Sequence, residues 1–140
     1  MSLRLVVEPH LCTGCRSCEL ACAFTHGQNG RPGASRCITI SKNEEEHVSV
    51  LCLQCDHAAC VKVCPVTAIT QDEATRIVHV DQDICIQCQA CTVACPFGNM
   101  QFDPATNQVA KCDLCATHGG YPRCTLFCPT KSLTVESVAT

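Results

Sequence analysis

Sixteen cysteines fall into four spaced groups, and this arrangement constrains the chain more tightly than any apolar pattern. Cys12, Cys15, Cys18 and Cys22 read C-x2-C-x2-C-x3-C. Cys52, Cys55, Cys60 and Cys64 read C-x2-C-x4-C-x3-C-P. Cys85, Cys88, Cys91 and Cys95 read C-x2-C-x2-C-x3-C-P, and Cys112, Cys115, Cys124 and Cys128 read C-x2-C-x8-C-x3-C-P. Every group ends with a fourth cysteine after x3. Only Cys37 stands outside them.

With 17 cysteines in 140 residues, the chain exceeds the roughly 8–10% at which a short sequence reads as a disulfide scaffold. Such scaffolds belong to secreted chains. The N-terminal "MSLRLVVEPHLC" has too short an apolar run for a signal peptide, and no segment approaches the 18 or so apolar residues of a membrane helix. The expected setting is a reducing cytoplasm, where dense cysteine means metal or redox chemistry. Without its cysteines the 46% hydrophobic fraction falls to about a third, with no Trp and one Tyr. A small chain so short of apolar bulk needs staples.

The spacing suggests which staple. A 4Fe-4S core takes one thiolate per iron, and three closely spaced cysteines can wrap one of its corners. The fourth, expected at the start of a short helical segment, points away and serves a neighbouring core, as in the C-x2-C-x2-C-x3-C-P run. The proline after it fixes the exit of the chain. Structural zinc would need only paired C-x2-C units around a tetrahedral ion, which leaves the recurrent x3 and the proline of three groups unexplained. A zinc-binding structural module is therefore the weaker alternative.

Between the groups the chain is turn-rich. "TAITQDEATRIVHVD" predicts a β-hairpin turning over residues 71–74, with a strand in Arg76 to Asp81. "NMQFDPATNQVAKC" predicts a second, with turn chemistry from Asp103-Pro104 and Asn107. Helices are expected to be short and to follow the fourth cysteines. Gly27 to Arg36 reads as a flexible connector, and the terminal "TVESVAT" as a frayed tail.

Taken together, "CTGCRSCELAC", "CLQCDHAACVKVCP", "VDQDICIQCQACTVACP" and "KCDLCATHGGYPRCTLFCP" resemble the four-cluster electron-transfer subunits of molybdenum and tungsten oxidoreductases and of related hydrogenase and carbon monoxide dehydrogenase systems. The resemblance runs from Glu8 to about Leu133. It implies an α+β, loop-rich fold of two ferredoxin-like units, each holding two 4Fe-4S clusters among short β-hairpins and short helices. Residues 1–140 would form one polyferredoxin-like domain, with one half from 1–36 and 104–140 and the other from 48–103. It also implies crossed ligation. Cys12, Cys15, Cys18 and Cys128 would hold one cube, and Cys112, Cys115, Cys124 and Cys22 its neighbour. Cys52, Cys55, Cys60 and Cys95 would hold a third, and Cys85, Cys88, Cys91 and Cys64 the fourth.

No residue reads as catalytic. The six histidines, His10, His26, His47, His57, His79 and His118, share no spacing and read as surface or packing residues. His57 and His118 lie within cysteine loops, where a ring N–H could reach a cluster sulfur. Cys37 reads as an ordinary thiol, and Glu44 to His47 as a solvated turn. The formal charge is −3, and four oxidised cubes with their thiolates would bring it to about −11. That field disfavours nucleic acid and favours basic surfaces on partner proteins. The expected function is electron transfer through four 4Fe-4S clusters, with no catalysis by this chain itself. It would link a catalytic subunit (tungsten aldehyde oxidoreductase, formate dehydrogenase or hydrogenase type) to a second redox subunit such as a flavoprotein. The alternative is a free soluble polyferredoxin. No membrane span of its own is expected.

Overall fold

The computed structural model describes residues 2–138. Four antiparallel two-stranded sheets frame the chain, three of them hairpins, with short helices between them. β1 (Ser2–Val7) pairs with β8 (Leu133–Val138), β2 (Ile38–Ser41) with β3 (His47–Val50), β4 (Ile69–Gln71) with β5 (Val78–Val80), and β6 (Gln101–Asp103) with β7 (Gln108–Ala110). The helices are α1 (Ser17–Thr25), α2 (Ala59–Val63), α3 (Ala90–Ala94) and α4 (Arg123–Phe127), and a 3-10 turn covers Pro9–Leu11. The result is the expected loop-rich α+β architecture.

Two of the hairpins are those predicted. In β4–β5 the Asp72 carboxylate accepts from the N–H groups of Ala74 and Thr75 at 2.9 and 2.7 Å, which makes the turn. In β6–β7 Asp103 accepts from the N–H of Ala105 at 2.9 Å, and Asn107 takes the left-handed conformation at φ 56°. The other two pairings are additions. The residues of "TVESVAT" through Val138 are not frayed: they pair with β1, Val6 facing Thr134 and Leu5 facing Val135. Ala139 and Thr140 lie outside the described residues. The turn over Glu44 to Glu46 joins β2 to β3, a hairpin whose inner face carries the buried Thr39 and Ser49 opposite one another. The Gly27 to Arg36 connector folds back on α1: Gly33 N–H donates to the Ala23 carbonyl at 2.8 Å, and Gln28 and Arg31 form a bridge.

The helices also correct an expectation. They precede the fourth cysteine instead of following it. α2, α3 and α4 end directly before Cys64, Cys95 and Cys128, and α1 contains both Cys18 and Cys22. The x3 spacing is therefore one helical turn, which puts the third and fourth cysteines on one face, about 6 Å apart along the axis. α1 packs on α4, and α2 on α3.

Two cores result. One gathers Cys18, Cys22, Cys37, Leu51, Cys124, Cys128 and Leu133, with Leu5 and Val7 against it. The other gathers Ala58, Cys60, Ile69, Val78, Cys91, Met100 and Val109. The division expected between residues 103 and 104 falls inside the β6–β7 hairpin, and Val109 packs with the second core.

Candidate metal centre

The backbone repeats itself around the cysteines. The residue before the second cysteine is left-handed in all four groups, at Gly14, Gln54, Gln87 and Leu114. Three residues beyond the fourth cysteine the same conformation recurs at Thr67, Gly98 and Lys131. For a non-glycine residue this costs about 1–2 kcal/mol, and strain of this kind collects at functional sites. Here it turns the chain so that thiols and N–H groups face inward. At Gly14 a Cβ would also lie 2.8 Å from the His47 ring, so a larger residue would have to displace that ring as well as adopt the left-handed backbone.

Three cavities have cysteine walls. Cys64, Cys85, Cys88 and Cys91 line one, Cys52, Cys55, Cys60 and Cys95 a second, and Cys22, Cys112, Cys115 and Cys124 a third. The space that a water-sized sphere can enter is small and similar in each, about 20, 30 and 20 Å³. Each draws three cysteines from one group and one from another, and in the third Cys37 adds a fifth thiol to the wall. Of the remaining four, Cys18 and Cys128 pack together in the first core, Cys12 is half-buried and Cys15 exposed. Among the described residues, no three His, Cys, Asp or Glu side chains converge on a point that could hold a single ion.

Electrostatics agree with a cationic centre. Burial pushes Cys112 up to about 12 and raises Cys124 as well. A thiolate at these positions needs a positive centre, since metal ligation requires the deprotonated form. Other sulfurs are already stabilised as anions. The Cys37 thiol, with the Thr39 and Ser49 hydroxyls 3.6 Å away, holds Cys18 down at about 5 against the effect of burial. Cys37 likewise holds Cys22 down at about 6, against burial and with help from the Arg36 N–H at 3.1 Å. For Cys64, burial raises the thiol, but the N–H groups of the loop after it win, Ala68 donating at 3.2 Å.

Cys37 is thus no isolated thiol. It is 2% exposed and sits against ligand candidates of two groups, which force it to remain protonated. Because serine keeps a donor there, Cys37→Ser should retain the full iron and sulfide content. Loss of iron in that variant would make Cys37 a ligand.

The histidine assignments also change. His118 bonds the Thr117 hydroxyl at 2.9 Å and meets His26 edge-on, centroids 4.5 Å apart. His26 is the ring that approaches a sulfur, with Nε2 4.0 Å from Cys115 Sγ. Arg36 donates to its Nδ1, and Arg can only donate, so the proton lies on Nε2 and faces the sulfur. Burial and the Arg36 charge lower its pKa to about 4, keeping it neutral. No sequence spacing marked His26, since a helix end and a folded-back connector bring it there.

Such walls, on such a fold, define a ferredoxin-type iron–sulfur protein that carries electrons. The chain belongs to the 4Fe-4S dicluster domain family, whose profile matches residues 43–138, and a 4Fe-4S binding domain profile matches residues 9–25. It is 36% identical to the putative electron transport protein YsaA of Escherichia coli K12, over 95% of this chain and 88% of that one. It is also 36% identical to the polyferredoxin-like subunit of the Pyrococcus furiosus aliphatic sulfonate oxidoreductase, over 89% of this chain and 70% of that one. Formate hydrogenlyase subunit 2 of Escherichia coli K12 is 38% identical over 73% of this chain, which spans about half of that subunit, 49%. A solved chain of the active site complex BamBC of benzoyl coenzyme A reductase, in complex with zinc, shares the fold. It matches 99% of this chain and 81% of its own length at TM-score 0.55 and 21% identity. Its place among these proteins is electron transfer. Among the described residues no helix is long and apolar enough to cross a membrane.

Proposed function

We propose that this chain holds four 4Fe-4S clusters by crossed ligation and relays electrons between a catalytic oxidoreductase subunit and a second redox partner. One observation carries the reading: each of three similar cavities is lined by three cysteines of one group and one of another, with the ungrouped Cys37 as a fifth thiol in the last of them. The sets are Cys64 with Cys85, Cys88 and Cys91; Cys95 with Cys52, Cys55 and Cys60; and Cys22 with Cys112, Cys115 and Cys124. Cys128 completes Cys12, Cys15 and Cys18. The packing of α1 on α4 and α2 on α3 supports two halves of two cubes each. When bound, each cube supplies one-electron storage. The chain's own work is to space the sites and keep water from them, and to supply N–H and O–H donors that stabilise added negative charge at sulfur.

The names of the relatives, subunits of an aliphatic sulfonate oxidoreductase and of formate hydrogenlyase, support a catalytic partner. Its molybdenum, tungsten or hydrogenase type, and a second partner such as a flavoprotein, rest on the resemblance of the cysteine groups. Seventeen unbridged cysteines suit the reducing cytoplasm. Anaerobically prepared protein should be brown and carry about sixteen irons with matching acid-labile sulfide, one iron per thiolate in these sets. A colourless, zinc-loaded protein would refute the cluster reading. Purification from the native host should bring down a large catalytic subunit. A lone monomer with full redox competence would refute the relay-subunit reading and favour a free polyferredoxin.

A further inference from the structure

Lys111 is the only charged residue among the buried polar side chains of the described chain, at 6% exposure. No carboxylate pairs with it among the described residues. Its ammonium donates to Gln54 Oε1 at 3.0 Å and to the Cys112 carbonyl at 2.7 Å. Gln54 closes the loop, its Nε2 donating to the same carbonyl at 2.7 Å and its Oε1 accepting from the Val78 N–H at 2.9 Å. Two of the three ammonium donors are thereby used. The side chain also forms part of the wall around Cys52, Cys55, Cys60 and Cys95. Through Cys112 it adjoins the cavity of Cys22, Cys112, Cys115 and Cys124.

A buried cation without a counter-charge is a heavy penalty, and proteins resolve it by pairing. Neutral amide oxygens satisfy its hydrogen bonds but not its charge. The anions that the wall is built to hold are cluster thiolates. We infer that Lys111 is the fixed counter-charge of the cube between Cys52, Cys55, Cys60 and Cys95, placed at the junction of the two halves to favour that cube's reduced form. The inference rests on the cluster assignment above. Reduction adds one electron to an anionic cube in a low-dielectric wall, where a nearby positive charge acts most strongly. This cube would then sit higher in potential than its charge alone dictates. An electron crossing between the halves would meet its lowest-energy resting place there, beside the one backbone carbonyl that both Gln54 and Lys111 grip.

Lys111→Gln keeps a donor and removes the charge, and Lys111→Arg keeps the charge. Cluster-resolved redox titration by electron paramagnetic resonance on the iron-loaded protein separates them. In Lys111→Gln one cube should lose about tenfold in its reduced-to-oxidised ratio at fixed poise, a shift of about −59 mV for one electron, while the arginine variant stays near the parent. If Lys111→Gln fails to take up iron, Gln54→Glu neutralises the ammonium in place and carries the same expectation. Full iron with all midpoints unchanged would overturn the inference, as would an equal fall in Lys111→Arg. Absence of 4Fe-4S signals in the parent protein would instead overturn the cluster assignment itself.

Discussion

Cys64→Ser is expected to damage the cube of Cys85, Cys88 and Cys91 and to spare the one bound by its own group. Cys64 ends α2, and its side chain lines the cavity of those three cysteines. Cys55 and Cys60, its neighbours in sequence, line a different cavity together with Cys95. Cys95→Ser should therefore act in the opposite direction, on the cube of Cys52, Cys55 and Cys60. Serine is close in shape but is a harder and far less acidic ligand, so iron is lost at that corner and a 3Fe cluster or an empty site results. Electron flow through the chain should then slow severely, because cubes in file act in series. Cluster-specific spectra of the two variants provide the check. Damage confined to the cube of the mutated group would rule out crossed ligation.

Removal of iron by a chelator under reducing conditions should abolish the cooperative fold. Of the nineteen buried apolar residues described, eight are cysteines. Without metal, Cys22, Cys60, Cys91, Cys115 and Cys124 among them line cavities with nothing for their sulfurs to bind. A single structural metal site is worth about 10–16 kcal/mol, comparable with the whole stability of an ordinary domain at about 5–15 kcal/mol. Emptying the sites also strands the Lys111 ammonium, and uncompensated buried charge costs a further 3–5 kcal/mol or so. Calorimetry on the apo-protein should show no sharp transition. A retained sharp transition would mean that the apolar cores suffice alone.

Much of this was legible from spacing, because ligand geometry is local: three cysteines within one loop must converge. The β4–β5 and β6–β7 hairpins were legible for the same reason, their turns being marked by Asp72 and by Asp103-Pro104. What escaped depends on distant partners. Residues of β8 look like a polar tail until Leu3, Leu5 and Val7 are set beside them, and those lie at the other end of the chain. β2 and β3 are four residues each, too short for alternation to stand out, and their shared role is to bring two hydroxyls to Cys18. Cys37, His26 and Lys111 carry no motif. Each matters through burial next to a sulfur site, which composition does not encode.

The pairing of β1 with β8 also orders assembly in time. On the proposed crossed ligation, the ligand sets of Cys52, Cys55, Cys60, Cys95 and of Cys64, Cys85, Cys88, Cys91 are complete during synthesis as soon as Cys95 has emerged. The earliest thiols, Cys12, Cys15 and Cys18, must wait for Cys128, and β1 must wait for β8. On crossed ligation, the half that contains the first residues made is thus the last to close, and its sulfurs stay open to the cell's iron-delivery machinery, or to oxidants, for longer.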